Sequence, residues 1–338
     1  MTLSIEEIEK RVNDSYELEN SVLKACPNPL VTVRTSTYQH GTYIKQCIEG
    51  ILMQKTDFAF EFIIGEDFST DGTREIVFEY AKKYPDIIRV FTADYNVGSK
   101  ANGRRCINAA RGKYVALCEG DDYWIDPLKL QKQVDFLEKN EEFGMCYSQA
   151  KVFVQKKKKY AKKNIGFKIP SKGLVFNNTI PPLTTLTRKN LISKFTNERD
   201  KNCFKSNIGD YYLNLWFEKN SKIFFMKEVT SVYRISSNSM SQYYDPNKRM
   251  IFLKNSFVLA NYFAHKNLNS TDYQEFLSIK FFELYNASIK FNTLHHKEYF
   301  LELMKIESLS VKIKIYLFFT EILRLRKIIS LSCKHIKY

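Results

Sequence analysis

The chain has 338 residues, of which 44% are hydrophobic, and it carries 52 Lys and Arg against 37 Asp and Glu. This length suffices for one large domain or two smaller ones, and the hydrophobic content supports a packed core and argues against global disorder. The formal net charge of +15 favours anionic partners, which include nucleic acids, anionic lipid headgroups and nucleotide or lipid diphosphates.

The cysteines and the N-terminus indicate a cytoplasmic location. Seven cysteines are scattered along the chain without a Cys-x-x-Cys pair, which is typical of reduced thiols. The N-terminus lacks the basic and apolar regions of a signal peptide, and no run of 18 apolar residues occurs. We therefore expect a cytoplasmic protein without a transmembrane helix, which can still lie on the inner face of the cell membrane.

Residues 3–24 are predicted to form an amphipathic helix. Ser4 and Glu7 have the spacing of a capping box, and apolar residues recur at helical intervals behind them. Pro27 then breaks the helix. We assign residues 1–26 to an N-terminal helix that packs on the main domain or binds a partner.

Strands and helices alternate between residues 30 and 140. This alternation predicts an α/β fold, with a Rossmann-like, mainly parallel sheet and helices on both of its faces. Ligands of such sheets bind at the carboxyl ends of the strands. Strands are expected at 30–35, 60–65, 88–91 and 114–118, and helices at 43–53, 73–83, 99–111 and from Asp126 onwards.

Acidic residues follow two of these strands. Glu66 and Asp67 follow one, and Glu119, Asp121 and Asp122 follow another. Neighbouring carboxylates at the mouth of a buried strand repel one another unless a cation lies between them. Oxygen ligands favour Mg²⁺ or Mn²⁺ over zinc, and such ions commonly bridge carboxylates to a diphosphate. The sequence therefore indicates an enzyme that acts on an activated phosphate compound.

Basic residues dominate two later segments. Residues 156–163 contain six Lys, which indicates a solvated loop or hairpin, or else an anion-binding surface. A strand is expected at 183–187, an acidic turn at Gly209-Asp210, a helix at 211–219 and a strand at 224–236. Residues 246–338 are assigned to a helical C-terminal region. Its basic amphipathic part, 309–331, can lie on an anionic membrane, pack on the catalytic domain or contact a second subunit.

Ordered blocks over about residues 30–240 resemble the family 2 glycosyltransferases, especially bacterial members that build surface polysaccharides such as O-antigen and capsule. Residues 31–38 are similar to the family's first strand and its Pro-Thr-Tyr-Asn end. Residues 63–73 resemble its Asp-Asp-x-Ser-x-Asp-Gly-Thr block, and residues 119–124 stand where the family has its Asp-x-Asp metal motif. Further landmarks are matched by Asn96-Val97-Gly98, Gly112-Lys113-Tyr114-Val115, Gly209-Asp210 and Val232-Tyr233-Arg234.

The resemblance implies a GT-A domain over residues 27–245. It also implies metal-dependent, inverting transfer of a hexosyl or N-acetylhexosaminyl group from a nucleotide-diphosphate sugar, expected to be UDP-linked. The acceptor would be a saccharide or a polyprenyl-diphosphate-linked saccharide. Asp121 and Glu119 would hold Mn²⁺ or Mg²⁺, Asp122 would lie beside the donor sugar, and Asp210 would be the general base. The donor nucleotide would contact Thr37, Tyr38, Asp67, Asn96, Gly98, Arg104, Arg105, Glu119 and Gly120.

The chain departs from the family pattern at several positions. Ser36 stands in place of the usual Pro, Arg34 replaces an apolar strand residue, and Glu119 replaces the first Asp of the metal motif. Arg104 stands where many relatives have Asn, and Ser236 where many have a His that can reach the metal. We therefore expect the metal to be held more loosely, or to bind only with the nucleotide.

Structural roles compete with some of these assignments. Asp67 and Asp71 also suit a turn and a helix cap, Asp210 suits a helix cap, and Trp124 suits the core. Gly98 suits a simple turn.

Two other functions fit parts of the sequence. A nucleotidyltransferase acting on sugar phosphates also has an acidic metal site, but it usually has a Gly-rich phosphate loop, and only Gly41 lies near residues 31–40. A basic nucleic-acid-binding protein would explain the charge but not the carboxylates after a buried strand, which repel phosphates without a metal. We expect no nucleic-acid partner, and the sequence leaves homo-oligomer formation open.

Overall fold

The structure is a computed structural model that describes residues 3–198, 209–236, 245–291, 298–299, 301–302 and 305. The chain divides into two compact units. The first comprises Met1–Lys205 with Gly209–Gln242, and the second comprises Ser206–Ile208 with Tyr243–Tyr338.

One sheet forms the centre of the first unit. Its strands lie in the order β1-β4-β3-β2-β5-β9-β7-β10-β6, and β8 pairs with the outer end of β7. The strands β2 to β5 are parallel, β7 and β10 are parallel, and β9 is antiparallel to both of its neighbours. The predicted α/β fold with a mainly parallel core is confirmed. The strands are β1 (Tyr16–Glu17), β2 (Val31–Thr37), β3 (Phe60–Glu66), β4 (Ile88–Thr92), β5 (Tyr114–Leu117), β6 (Tyr123–Trp124), β7 (Phe143–Val154), β8 (Lys159–Tyr160), β9 (Leu186–Arg188) and β10 (Lys222–Ile235).

Helices cover both faces of this sheet, as the alternating pattern predicts. Those of the first unit are α1 (Ile5–Asn13), α2 (Val22–Ala25), α3 (Ile44–Leu52), α4 (Thr73–Lys83), α5 (Ser99–Ala109), α6 (Lys129–Lys139), α7 (Lys189–Glu198) and α8 (Gly209–Asn220). Short 3₁₀ helices are formed by Gln155–Lys157 and Pro182–Thr184, and the second unit contains α9 (Pro246–Asn267) and α10 (Ser270–Lys290).

The main core lies between the central strands and helices α3 and α6. Apolar residues at helical spacing on each helix face apolar residues of the strands, and their burial stabilises the fold by about 25 cal/mol per Å² of apolar surface. The predicted stripes on both helices are confirmed as core. The buried residues include Val31, Val33, Phe62 and Ile64 of the strands, Ile44, Cys47, Ile48 and Ile51 of α3, and Leu130, Val134 and Leu137 of α6.

The N-terminal helix is shorter than the predicted 3–24. It begins as expected, with the Ser4 Oγ accepting a 3.1 Å hydrogen bond from the N–H of Glu7, but it ends at Asn13. Residues Tyr16–Glu17 instead pair with β4 at the edge of the sheet. Pairing with the sheet edge therefore overrides the apolar spacing that continues beyond the end of α1, because it satisfies backbone groups that the sequence pattern does not reveal.

Other boundaries also differ from prediction. β7 was not predicted as a strand, the strand expected at 183–187 is reduced to β9, and the expected turn at Gly209-Asp210 is the first turn of α8. An acidic residue suits that first turn because it faces the positive end of the helix dipole.

The C-terminal region is helical in its described part, as predicted. The basic segment 309–331 lies outside the described residues. In the described residues, every helix is too short or too polar to cross a membrane.

Candidate active site

The two acidic segments meet at one edge of the sheet. Since β2, β3 and β5 are parallel neighbours, their carboxyl ends lie side by side. The N–H of Gly120 donates to the Ser36 carbonyl at 3.1 Å, and the N–H of Asp67 donates to the Thr37 carbonyl at 3.1 Å. The structure thus brings the segments after β3 and β5 against the end of β2, as the sequence predicts.

Gly120 lies close to the side chains of Thr37 and His40. A Cβ atom at this position would lie 2.7 Å from the Thr37 Oγ1 and 2.7 Å from the His40 Nδ1. The Thr37 Oγ1 and the His40 Nδ1 lie 3.2 Å from each other, and Thr37 is the last residue of β2. A glycine is therefore required here for packing, whatever contact it makes with a nucleotide.

Glu119 is held by two groups of β2. The Arg34 Nη2 donates to its Oε1 at 2.7 Å, and the N–H of Ser36 donates to its Oε2 at 3.3 Å. Arg34 and Glu119 are two of the positions that depart from the family pattern, and they contact each other. The positive charge of Arg34 in the strand therefore balances the negative charge of Glu119 at the site. Both departures are visible in the sequence, and only the structure reveals that they are partners.

Asp122 is buried while Asp121 beside it is half-buried. The Asp122 Oδ1 accepts a 2.7 Å hydrogen bond from the N–H of Arg234. Burial and the charge of Asp121 raise the pKa of Asp122 well above its usual value, against the lowering effect of that N–H. No described residue donates a side-chain or main-chain hydrogen bond to the Asp121 carboxylate, so this group is available to a ligand.

Arg234 links the acidic segment to the 3₁₀ helix Gln155–Lys157 and to α3. Its Nε donates to the Asp121 carbonyl at 2.8 Å, its Nη1 to the Gln155 Oε1 at 2.7 Å and its Nη2 to the Gln46 Oε1 at 2.6 Å. Its guanidinium carbon also lies 4.8 Å from the centroid of the Tyr43 ring. From the sequence, Arg234 was only a landmark of the family resemblance, although a charged residue near the end of a predicted strand was a signal of such a role.

Asp67 organises the loop that follows β4. Its Oδ1 accepts from the N–H of Val97 at 2.8 Å, and its Oδ2 accepts from the N–H of Gly98 at 3.1 Å. Asn96 donates to the Asp67 carbonyl at 3.0 Å. Burial raises the pKa of Asp67, and the two N–H groups and Arg105 oppose this effect. The structure therefore brings Asp67, Asn96 and Gly98 together, and it gives Asp67 a structural role.

The loops after β2 and β3 are joined by hydrogen bonds. The N–H of His40 donates to the Thr73 Oγ1 at 2.8 Å, and the N–H of Gly41 donates to the Asp71 Oδ2 at 2.9 Å. Gln39 and Phe68 have φ angles of 57° and 61°, which are unfavourable for side chains of this size. Such strain persists only where surrounding contacts impose it, and it is common at functional sites. Tyr38, on the first of these loops, is 46% exposed.

Arg104 and Arg105, which are predicted to contact the donor nucleotide, have protein partners. Arg104 forms an ion pair with Glu9 of α1. Arg105 is buried and donates from Nη2 to the Glu66 carbonyl at 2.7 Å and to the Asn102 Oδ1 at 2.8 Å. Arg105 therefore supports the end of β3, and contact of either arginine with a diphosphate stays a prediction.

Asp210 is the second residue of α8, in the same unit as the acidic segments. Asp210 as a whole residue is exposed. Desolvation of its carboxyl group by the surrounding protein nevertheless raises the pKa of Asp210. Within the described ranges, no hydrogen bond or ion pair joins it to Glu119, Asp121 or Asp122. The segment 199–208, which precedes it, lies outside the described residues.

The acidic edge fits a divalent cation that takes some of its ligands from the protein and the others from a substrate. The described residues contain no cluster of three or more His, Cys, Asp and Glu arranged to hold a metal by themselves. Mg²⁺ is commonly bound by one or two carboxylates together with phosphate oxygens. Asp121 suits this arrangement because its carboxylate accepts no hydrogen bond from a described residue. Glu119 has already been oriented by Arg34 and keeps further lone pairs.

Most of the first unit is similar to known sequences. The sequence profile described as Glycosyl transferase family 2 matches residues 32–212. An uncharacterized protein of Mycobacterium tuberculosis is 42% identical over 125 residues, which cover 37% of this chain and 36% of that protein. The putative teichuronic acid biosynthesis glycosyltransferase TuaG of Bacillus subtilis is 37% identical over 109 residues, which cover 32% of this chain and 42% of TuaG. The chain thus spans well under half the length of these relatives.

Solved structures share the fold at low identity. The mannosyltransferase PcManGT of Pyrobaculum calidifontis, in complex with GDP-Man and Mn²⁺, has a TM-score of 0.55 at 14% identity, with 94% of this chain and 86% of that chain covered. TarS 1–349 of S. aureus, in complex with UDP-GlcNAc, has a TM-score of 0.52 at 17% identity, with 84% and 77% covered. The expected GT-A fold is thereby confirmed.

Proposed function

We propose that this chain, which belongs to glycosyl transferase family 2, transfers a sugar with inversion from a nucleotide-diphosphate sugar to a saccharide or lipid-linked saccharide. The observation that carries the proposal is the contact of residues 119–122 with the end of β2, which places several carboxylates at the carboxyl ends of the parallel strands. The name of TuaG supports a place in bacterial surface polysaccharide synthesis, of which O-antigen and capsule are examples. TarS binds UDP-GlcNAc and PcManGT binds GDP-Man, which supports a nucleotide-sugar donor.

The donor nucleotide would lie along the ends of β2 and β3. Each carboxylate oxygen of Asp67 already accepts one N–H, and each keeps a second lone pair that can accept from a base such as uracil. Exposed Tyr38 would cover the base, while Thr37, Asn96, Gly98 and Gly120 shape the edge. This arrangement supports a UDP-linked donor.

The diphosphate would bind beside Asp121. Mn²⁺ or Mg²⁺ held by Asp121, with Glu119 in support, would neutralise the charge that develops on the leaving diphosphate, an effect worth several kcal/mol. Asp122 would lie next to the donor sugar. The Arg34–Glu119 pair would keep the Glu119 carboxylate pointed along the strand end, because its 2.7 Å contact limits rotation.

Asp210 would act on the acceptor. Its carboxylate would accept the proton of an acceptor hydroxyl while that oxygen bonds to the anomeric carbon and the bond from that carbon to the diphosphate oxygen breaks. The base and the leaving group then act on opposite sides of the anomeric carbon, which gives inversion. General base catalysis of this kind contributes roughly 10²–10⁴-fold.

A donor panel tests the proposal. The purified chain is incubated with UDP-, GDP- and dTDP-sugars and Mn²⁺ without an acceptor, and we expect slow release of the nucleoside diphosphate from one of them. Release of pyrophosphate from a nucleoside triphosphate and a sugar phosphate would instead indicate a nucleotidyltransferase. Proton NMR of the product made with an acceptor reports the anomeric configuration, and retention would contradict the inverting mechanism.

Asp210→Asn tests the general base separately. The amide is similar in size and hydrogen-bonds like the acid, but it cannot take the proton, so we expect transfer to an acceptor to fall by roughly 10²-fold or more. Donor binding should be unchanged, as measured by calorimetry with the nucleoside diphosphate. Full turnover in this variant would require another base.

A further inference from the structure

The positive charge of this chain is concentrated in one stretch. Residues 143–197 contain eleven Lys and one Arg, and they contain no Asp or Glu. The formal net charge of this stretch is therefore +12, against +15 for the whole chain. Protein surfaces usually intersperse positive and negative side chains, because like charges repel one another. A large patch of positive charge is therefore typical of a surface that binds an anionic partner.

Six of these lysines lie on a hairpin formed by residues 155–163, here called the lysine hairpin. The hairpin consists of a 3₁₀ turn, Lys158 and β8, which folds back on the end of β7 with Phe153 opposite Tyr160. All six of its lysines are exposed. The hairpin therefore presents a dense cationic edge to solvent.

The sheet topology places this hairpin at the edge that carries the acidic site. β9 is antiparallel to both β5 and β7, so β5 and β7 run in the same direction. The carboxyl end of β7, where the hairpin begins, thus lies at the same edge of the sheet as residues 119–122.

Two contacts connect the hairpin to the acidic segment. Gln155, at its start, accepts from the Arg234 Nη1 at 2.7 Å, and Arg234 in turn donates from its Nε to the Asp121 carbonyl. The Tyr160 hydroxyl lies 3.1 Å from the hydroxyl of Tyr123, the residue that follows Asp122 in the chain. The base of the hairpin is therefore fixed relative to the candidate active site.

Four of the hairpin lysines are not neutralised by carboxylates in the described part of the chain. Lys157, Lys159, Lys162 and Lys163 make no ion pair or side-chain hydrogen bond with another described residue. By contrast, Lys113 pairs with Glu138 at 2.8 Å elsewhere on the same unit. The charges of these four lysines are therefore available to a ligand.

We propose that the lysine hairpin binds an acceptor glycan that carries repeated phosphate or carboxylate groups, and that it directs the end of this glycan to the acidic site. This inference rests on the proposed glycosyl transfer. The carboxylates at 119–122 repel anions, so an anionic acceptor needs a cationic anchor set back from them, with a neutral hydroxyl at the reacting end. The hairpin supplies this anchor at the same edge.

The composition of the hairpin favours a glycan over a membrane surface. Residues 155–163 contain only Gln, Lys, Tyr and Ala, and they lack the Leu, Phe or Trp side chains that interfacial segments insert among lipid acyl chains. Tyr160 is 51% exposed and offers a ring face and a hydroxyl to a sugar. A membrane surface is the competing occupant that the experiment excludes.

The test compares two variants that each lose four positive charges. The hairpin variant replaces Lys157, Lys159, Lys162 and Lys163 by Gln. The control variant replaces Lys24, Lys55, Lys82 and Lys139 by Gln, which are exposed lysines of the same unit without ion pairs among the described residues. Equal melting temperatures of the variants would show that both fold, as expected for exposed side chains.

Binding is measured by fluorescence anisotropy with labelled polygalacturonate oligosaccharides and with inorganic polyphosphate, which separate carboxylate from phosphate recognition. We expect the Kd of at least one polyanion to rise roughly tenfold in the hairpin variant and to stay unchanged in the control, with a weaker salt dependence in the hairpin variant. Neutral dextran should not bind. Equal loss in both variants, or binding to phosphatidylglycerol vesicles without binding to either polyanion, would overturn the proposal.

Donor hydrolysis separates this inference from the proposed function. Release of nucleoside diphosphate without an acceptor should be equal in the wild type and in both variants, because the four substituted hairpin lysines make no ion pair or side-chain hydrogen bond with the described residues assigned to the donor. If the wild type shows no such release with any donor, the proposed function fails, whereas the anisotropy result still decides whether the hairpin binds polyanions.

Discussion

The main-chain N–H of Arg234 donates a 2.7 Å hydrogen bond to the Oδ1 of Asp122, 112 positions earlier in the chain. The contact joins the end of β10 to the acidic segment after β5. It gives a buried carboxylate a donor, without which burial is strongly unfavourable. The conformation of the candidate metal site is therefore set in part by a strand that lies outside the metal motif.

Arg234→Lys should impair both stability and activity. An ammonium group cannot make the three divergent contacts that the guanidinium makes with Asp121, Gln155 and Gln46. We expect the free energy of unfolding to fall by about 1–3 kcal/mol, measured by urea denaturation. The kcat/KM for donor hydrolysis should fall roughly tenfold or more because Asp121 is displaced. Lys194→Arg, at an exposed pair with Glu198 on α7, is the control and should change neither value appreciably.

Asp121→Ala should abolish activity without destabilising the protein. Removal of one of two adjacent carboxylates relieves repulsion of buried Asp122, so we expect unchanged stability, or a gain of up to about 1 kcal/mol, in the absence of divalent cations. Sugar transfer should fall by roughly 10³-fold, because the loss of a metal ligand removes several kcal/mol of stabilisation. Thermal denaturation and nucleoside diphosphate release provide the two readouts. Asp57→Ala, at an exposed position, is the matched control. Transfer at the wild-type rate would refute the assignment of Asp121 as the metal ligand.

Gly120→Ala should disturb the edge on which the nucleotide is expected to lie. The added Cβ would lie 2.7 Å from the Thr37 Oγ1 and 2.7 Å from the His40 Nδ1, so both side chains must shift. We expect a loss of about 1–3 kcal/mol in unfolding free energy and weaker binding of the nucleoside diphosphate by calorimetry. At Gly209, an added Cβ would meet no atom of the described residues within 4 Å, and Gly209→Ala should be neutral or stabilising. Equal stability of the two variants would contradict the packing role of Gly120.

Lys129 should make the stability of the chain depend on pH in the alkaline range. It is fully buried, with its Nζ 2.8 Å from the Gln133 Oε1 and 4.1 Å from the centroid of the Trp124 ring. Burial lowers the pKa of Lys129 from 10.5 to about 8. Between these pH values the unfolded chain binds more protons at this position than the folded chain, so the unfolding free energy should rise as pH rises through the window.

The expected contribution of Lys129 to this rise is about 3 kcal/mol, and Lys129→Met should remove it. Urea denaturation of the wild type and the variant at several pH values measures the difference, in which the titration of the tyrosines largely cancels. Lys139→Met, at an exposed position, should keep the wild-type pH dependence. A parallel pH dependence of the wild type and Lys129→Met would show that the buried lysine titrates normally.

Most regular elements of the first unit were predictable because their signals are local. The apolar spacing on α3 and α6 and the short apolar strands β2, β3 and β5 each depend on residues a few positions apart. The capping interaction of Ser4 was predictable for the same reason. The end of α1 was not, because pairing of β1 with β4 involves residues more than 70 positions apart. β7 was missed entirely, although its pairing with β10 and β9 secures the second half of the sheet.

The α/β class, the acidic segments and their place after buried strands follow from the sequence, since patterns of apolar and charged residues act over short distances. How these residues are partnered depends on the tertiary structure. It paired Arg34 with Glu119, placed the N–H of Arg234 on Asp122, engaged Asp67 with the loop after β4, and set the lysine hairpin at the edge of the acidic site. These contacts join residues that are distant in the chain, and they arise only when the parallel strands bring their carboxyl ends to one edge.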